Sequence, residues 1–166
     1  MPFTPFHFGP GLFIKSLVPR KFNLTVFIVT QILIDSEVLW NLLQGKDRLH
    51  TFFHTYLGSS MVILIIPVLN YVYSFVQKRI FALSNLFKMS PIKINILFIS
   101  ALIGAWSLVF LDSIMHDDIM PLWPFYLNNP MFHWISVLWL HLGCLLSAAL
   151  AIPVWYFTRK KERGGS

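Results

Sequence analysis

Four membrane-spanning helices preceded by a half-length helical segment are expected of this chain, making it an all-α integral membrane protein. Three features carry the expectation. The chain is 56% hydrophobic and 12% charged, with a mean hydropathy of +0.66, which leaves too few charges to cover a water-soluble globule of 166 residues. Its apolar residues fall in blocks of about 20, the length of a helix that crosses a hydrocarbon core. Its basic residues lie between those blocks and in the tail, with no basic face interleaved with base-stacking aromatics. The formal charge of +6 therefore reads as a determinant of membrane orientation and not of nucleic-acid binding.

The elements follow in order, and together they read as one transmembrane domain over 1–166. Residues 1–21 form the half-length segment. Its helical stretch, 9–18, at about 1.5 Å per residue reaches halfway through a core of about 30 Å, as a half-helix or re-entrant segment does. Pro10 suits a first helical turn and Pro19 helps to end the segment ahead of Arg20 and Lys21. The opening MPFTPFHFGPGLF lacks a basic start followed by a long apolar core, so no cleavable signal peptide is expected. The spans are expected at 22–43, 57–76, 94–115 and 132–157, with 158–166 a basic tail whose closing GGS reads as a linker remnant. In the last span Ser147, Ala148, Ala149 and Ala151 permit close helix approach. The single cysteine, Cys144, excludes an intrachain disulfide and reads as a small buried hydrophobe.

Basic residues alternate with the spans. Lys15, Arg20 and Lys21 precede the first, Lys78, Arg79, Lys88 and Lys93 separate the second from the third, and Arg159, Lys160, Lys161 and Arg163 follow the fourth. The positive-inside rule places these groups, and with them the C-terminus, on the cytoplasmic side of a plasma membrane. Loops 45–55 and 116–131 then face outward. The second has no Lys or Arg, and its PLWPFYLNNP stretch suits an ordered cap over the outer helix ends.

Ionisable side chains inside a span are costly enough that each needs a partner, a cavity or a function. Asp35 and Glu37 lie in the first span, in ILIDSEVLW, and Asp112 in the third, with His116 one turn later on the same face. His50 and His54, in LHTFFHT, are spaced to share one helix face, a spacing that brings two imidazoles to a single ion. The orientation puts all six at one level, in the outer half of the membrane. His7 reaches that level through the half-helix, whose N-terminus presents free N–H groups.

His7, Asp35, His50, His54, Asp112 and His116 make an imidazole and carboxylate set suited to Zn²⁺, with Mn²⁺ or Fe²⁺ as other choices. Six candidates exceed the four ligands of a closed mononuclear site. The excess fits two ions, or one ion with carboxylates that orient the imidazoles. Surface histidines and a buried carboxylate pair account for the same residues one by one. His133 and His141 read as satisfied structural histidines, Asp117 and Asp118 as a solvated turn, and Gln31, Asn70 and Asn95 as residues that join helices by hydrogen bonds.

The ordered segments MPFTPFHFGPG, LIDSE, LHTFFHTYLG and LDSIMHDDIMPLWPF resemble a family of small bacterial and archaeal inner-membrane proteins described as membrane-bound metal-dependent hydrolases, related to the LexA-regulated inner-membrane hydrolases. The resemblance runs to about residue 130. It implies a multi-span helical protein with a His and Asp metal site and hydrolase activity. In it, His7 matches the N-terminal histidine, Asp35 the first aspartate, His50 and His54 the paired histidines, and Asp112 the aspartate ahead of the proline and tryptophan stretch. One departure stands out: relatives carry a histidine one turn before the position of Asp112, where this chain has Leu108.

Two functional expectations follow. The first is a metal-assisted hydrolase open to the outer leaflet, with His7, His50, His54 and Asp112 as ligands, His116 next, and Asp35 or Glu37 as the carboxylate that takes a proton. Its substrate would be a lipid or a lipid-linked ester or phosphoester drawn from the surrounding membrane lipids. The second is a non-catalytic subunit or scaffold, in an oligomer or larger membrane assembly, that keeps a degenerate metal site. A small transporter fits less well, because the polar residues gather at one level and do not trace a path across.

Overall fold

The computed structural model describes residues 5–80 and 92–164, with side chains described over 5–76 and 92–160. Lys88 lies outside the described residues, as do the side chains of Lys78, Arg79, Lys161 and Arg163. The described residues are all helical, without strands: α1 (Phe8–Leu17), α2 (Leu24–Leu43), α3 (Tyr56–Ile80), α4 (Ile94–Met115) and α5 (Val137–Gly164). Short 3-10 turns, Pro5–His7 and Phe52–His54, precede α1 and α3. Four helices, α2 to α5, are long and apolar enough to cross a membrane.

The half-length segment and the first three spans lie close to their expected positions, whereas α5 starts at Val137 instead of the expected 132 and runs through Gly164. The delay has a local cause. Asn129 Nδ2 donates to the Ser113 and His116 carbonyls (2.7 and 2.8 Å), and His133 N–H donates to Ile114 O (3.1 Å). Both tie the approach to α5 onto the end of α4. His133 takes a left-handed backbone (φ 59°) and its ring stacks on Phe132, a conformation that a helix does not tolerate. At the other end, the expected break at 157 has no physical basis, because Lys and Arg after Phe157 suit the last turns of a helix.

Helix packing divides into two parts. α2, α3 and α4 share a core of Val26 and Ile34, Val62, Ile63 and Ile66, and Leu97, Ala101, Ala105 and Leu108. Here α4 presents a small face: a Cβ on Gly104 would meet the Phe27 carbonyl of α2 at 2.8 Å. Small residues at such contacts let backbones approach where lipid removes the hydrophobic drive for association. Gln31 Nε2 adds long hydrogen bonds to Gly104 O and Ser107 Oγ, both 3.4 Å, joining α2 to α4 as expected. Asn95 differs from expectation, since its Oδ1 accepts from Ile96 N–H in its own helix.

The second part is α1 on α5. A Cβ on Gly9 would collide with the Cys144 carbonyl of α5, so the two backbones touch, and Phe6 packs on His141 one turn earlier. α1 therefore runs parallel to α5, with His7 at the end where α2 finishes, α3 begins and α4 finishes. Leu111, Ile114, Met131, Leu140 and Cys144 join the two parts at that same end. Lys15 closes the opposite end of α1, donating through Nζ to Pro19 O (2.6 Å) and Phe22 O (2.8 Å).

The connection after α4 folds back over the helix ends as the expected cap. Pro121 O accepts from Tyr56 N–H (2.9 Å), and Asp118 O accepts from Arg48 Nε (3.1 Å). Two loops and five helix ends thus meet in one place.

Candidate metal centre

The pair His50 and His54 does not lie on one helix. His50 lies outside any helix, His54 ends the 3-10 turn, and α3 begins only at Tyr56. Glu37 is the reason. Its carboxylate accepts from Thr51 N–H (3.2 Å) and Phe53 N–H (3.0 and 3.1 Å), so these donors are directed to α2 and not into a helical ladder. Gly58 lets the turn lie against α3, since a Cβ there would collide with the Phe52 carbonyl. The imidazoles still meet, ring centroids 4.8 Å apart and nearly perpendicular, but each belongs to a different group.

The deeper group is Asp35 from α2, His54 from the turn and Asp112 from α4, one ligand atom of each lying within 4.8 Å of the others. His54 is fully buried and Asp112 nearly so. His54 Nε2 is 3.5 Å from Asp35 Oδ1 and 3.6 Å from Asp112 Oδ2, and the other oxygen of Asp112 is 3.6 Å from His7 Nε2. These separations are too long for good N–H···O hydrogen bonds. They match the spacing of about 3.4 Å between atoms that share a tetrahedral ion at about 2.1 Å.

Proton placement points the same way. His54 Nδ1 is 3.3 Å from Glu37 Oε2, and a carboxylate only accepts, so Nδ1 carries a hydrogen. In the neutral ring Nε2 then presents a lone pair toward two carboxylate oxygens. Three electron-rich atoms would then converge in a buried place, which either a proton on Nε2 or a metal ion relieves. His54 Nε2 and both nitrogens of His7 are buried without hydrogen-bond partners. Burial disfavours a charged His54, yet the carboxylates of Asp112, Asp35 and Glu37 outweigh it and hold its pKa well above the usual histidine range. The site attracts positive charge, whether proton or metal.

The outer group is His50, His116 and Asp118. Asp118 Oδ1 accepts from His50 Nδ1 (2.8 Å), and its Oδ2 accepts from the N–H groups of Leu49 (3.1 Å) and His50 (3.0 Å). Despite partial burial, these donors hold the Asp118 carboxyl far below the ordinary aspartate range. The His116 ring lies 4.3 Å from that of His50, and burial, with His50 adjacent, lowers its pKa. His116 caps α4 in extended conformation, its N–H bonded to Asp112 O (2.9 Å). The helix face that it was expected to share with Asp112 therefore ends one residue short, and its ring joins His50 instead.

The expected set of six thus divides into two adjacent groups, Asp35, His54 and Asp112 with His7 alongside, and His50 with His116. The set lacks Asp118, which lies in the expected turn but is half-buried and bonded to Leu49 and His50 instead of solvated. No spacing rule separated Asp118 from Asp117, because both lie in a turn, and only the fold leaves Asp117 exposed while half-burying Asp118. Glu37 touches backbone N–H groups and the far nitrogen of His54, so it orients that ring instead of facing the convergent atoms. His141 is not the satisfied histidine expected, because its Nε2 is buried without a partner. Leu108 is buried in the apolar core of α2 to α4, so the position before Asp112 contributes packing.

No family model, curated protein or solved structure matches the chain.

Proposed function

We propose that the chain is a membrane-embedded metal-dependent hydrolase acting on a lipid or a lipid-linked ester or phosphoester near the outer leaflet. The convergence of His54 Nε2 with Asp35 and Asp112 at 3.5 and 3.6 Å, without hydrogen bonds, is the observation that carries it. Asp35, His54 and Asp112 would hold an ion, with His7 reaching it through the free edge of Asp112. His50, His116 and Asp118 offer a second set of donors. The donor chemistry, imidazole and carboxylate without thiolate, fits Zn²⁺ first and Mn²⁺ or Fe²⁺ next. A bound divalent ion would supply an acidified water and polarise a phosphoryl or carbonyl oxygen.

The chain's own residues supply the rest. Glu37 fixes the tautomer of His54, and Asp118 fixes that of His50, each a carboxylate on the far nitrogen of an imidazole. Asp35, slightly more exposed than Asp112, is the carboxylate placed to take a proton from an incoming nucleophile.

The test is hydrolysis by purified protein in detergent of a fluorogenic phosphoester and a fluorogenic carboxylic ester. The expected result is turnover of one of them that a chelator abolishes, zinc restores, and Asp112→Asn lowers by at least about a hundredfold. Turnover that survives both chelation and Asp112→Asn contradicts the assignment.

A further inference from the structure

Beside the outer group lies a cleft of about 190 Å³ whose walls include Arg48, His50, Asp118, Phe52, Met120 and Trp123. At roughly 30 Å³ for each water it holds about six. A whole lipid does not fit, but a polar headgroup does. The cleft has one apolar side, where Phe52 and Trp123 meet edge to face at 5.8 Å, and one cationic residue, Arg48. Trp123 and Arg48 are exposed, so the cleft opens outward at the helix ends, while His50 at its inner wall is buried.

Arg48 is positioned but not satisfied. Its Nε donates to Asp118 O at 3.1 Å, which fixes the plane of the guanidinium, and its terminal nitrogens make no hydrogen bond among the described residues. Lys46, the other cation of this loop, is engaged elsewhere, with Nζ on Asn41 Oδ1 at 3.0 Å. Both oxygens of the Asp118 carboxylate are engaged by donors from Leu49 and His50, which disperse its charge without removing it. A planar cation with its terminal donor edge free, beside an imidazole, suits a phosphate, which that edge binds through paired N–H···O contacts.

We infer that this cleft is a subsite for a phosphate-bearing headgroup, with Arg48 gripping the phosphate and Phe52 and Trp123 lying along the apolar part that follows it. The inference names the substrate class of the proposed hydrolase and rests on that reading for the reaction, but binding itself needs no turnover. Arg48 is a binding residue at the mouth, distinct from the convergent donors around His54.

The probes are dihexanoyl phosphatidic acid, inorganic phosphate and uncharged dihexanoyl glycerol, titrated into the purified full chain in dodecyl maltoside and read by the shift in its thermal unfolding midpoint. Saturable binding of dihexanoyl phosphatidic acid is expected, weakened at least about tenfold by Arg48→Ala and partly kept by Arg48→Lys, as loss of a charge-assisted contact requires. Phosphatidic acid binding more tightly than inorganic phosphate identifies a lipid headgroup as the source, and equal affinity identifies free phosphate. Equal binding to parent and Arg48→Ala overturns the inference, as does no binding by the parent or equal binding of dihexanoyl glycerol. Metal analysis of Arg48→Ala separates the two claims: unchanged metal content with lost binding supports a distinct subsite, whereas joint loss overturns it. Arg48-dependent binding without hydrolysis of any substrate leaves the subsite standing and removes the hydrolase.

Discussion

At the level of single residues, His54 is the centre of the proposed metal site. Three carboxylates surround one imidazole: Glu37 on Nδ1, and Asp35 and Asp112 facing Nε2. Glu37 determines which nitrogen is free, so removing its charge loosens the ring without touching the convergent atoms. Glu37→Gln is expected to weaken divalent-metal affinity about ten- to a hundredfold, as loss of a ligand-orienting carboxylate does elsewhere. Competition with a chromophoric chelator measures it, with helical content by circular dichroism as the check on folding. Unchanged affinity would mean that Glu37 serves only the backbone of the turn. Most of these residues were legible in the sequence as polar groups in apolar spans. Their grouping was not, because spacing alone assumes a regular helix through His50 and His54, and it cannot register that a carboxylate on α2 diverts the N–H groups of Thr51 and Phe53.

Among elements, the contact of α1 with α5 places His7. Gly9 has no room for a side chain against the Cys144 carbonyl, whereas Gly143 on α5 faces open space. Gly9→Ala is therefore expected to force α1 from α5, cost about 1–3 kcal/mol as overpacking, and lower metal affinity by displacing His7. Gly143→Ala is expected to leave stability equal or raise it by about 0.4–1 kcal/mol through the unfolded chain and helix propensity. Thermal unfolding in detergent with metal titration measures both, and equal behaviour of the two variants would contradict the close packing of α1. The half-helix was readable from its length and its two prolines. Its docking partner was not, since HFGPG shows only that some backbone comes close. The start of α5 was misjudged for a similar reason: hydropathy continues through Phe132 and Trp134, and the contacts that hold residues 129–133 to the end of α4 leave no mark in composition.

At the scale of the whole molecule, all four spans were legible because apolar runs of membrane length admit few alternatives, and α2, α3 and α4 were placed within a few residues. The alternation of basic residues predicts an orientation in which the cap lies outside the cell membrane. Cys144, the single cysteine, is buried, so introduced cysteines report topology against a silent background. Phe125→Cys, at a side chain 91% exposed, is expected to react with a membrane-impermeant maleimide in intact cells, and Lys160→Cys only after permeabilisation. The reverse pattern would turn the bundle over and place the candidate centre at the cytoplasmic face. Whether that centre holds metal is tested most directly by elemental analysis of protein purified without chelator, alongside His54→Ala and Asp112→Asn. A stoichiometric divalent ion is expected in the parent, and its loss in both variants with helical content retained. A parent that carries no ion and takes up no zinc, or variants that keep the parent's stoichiometry, would contradict it.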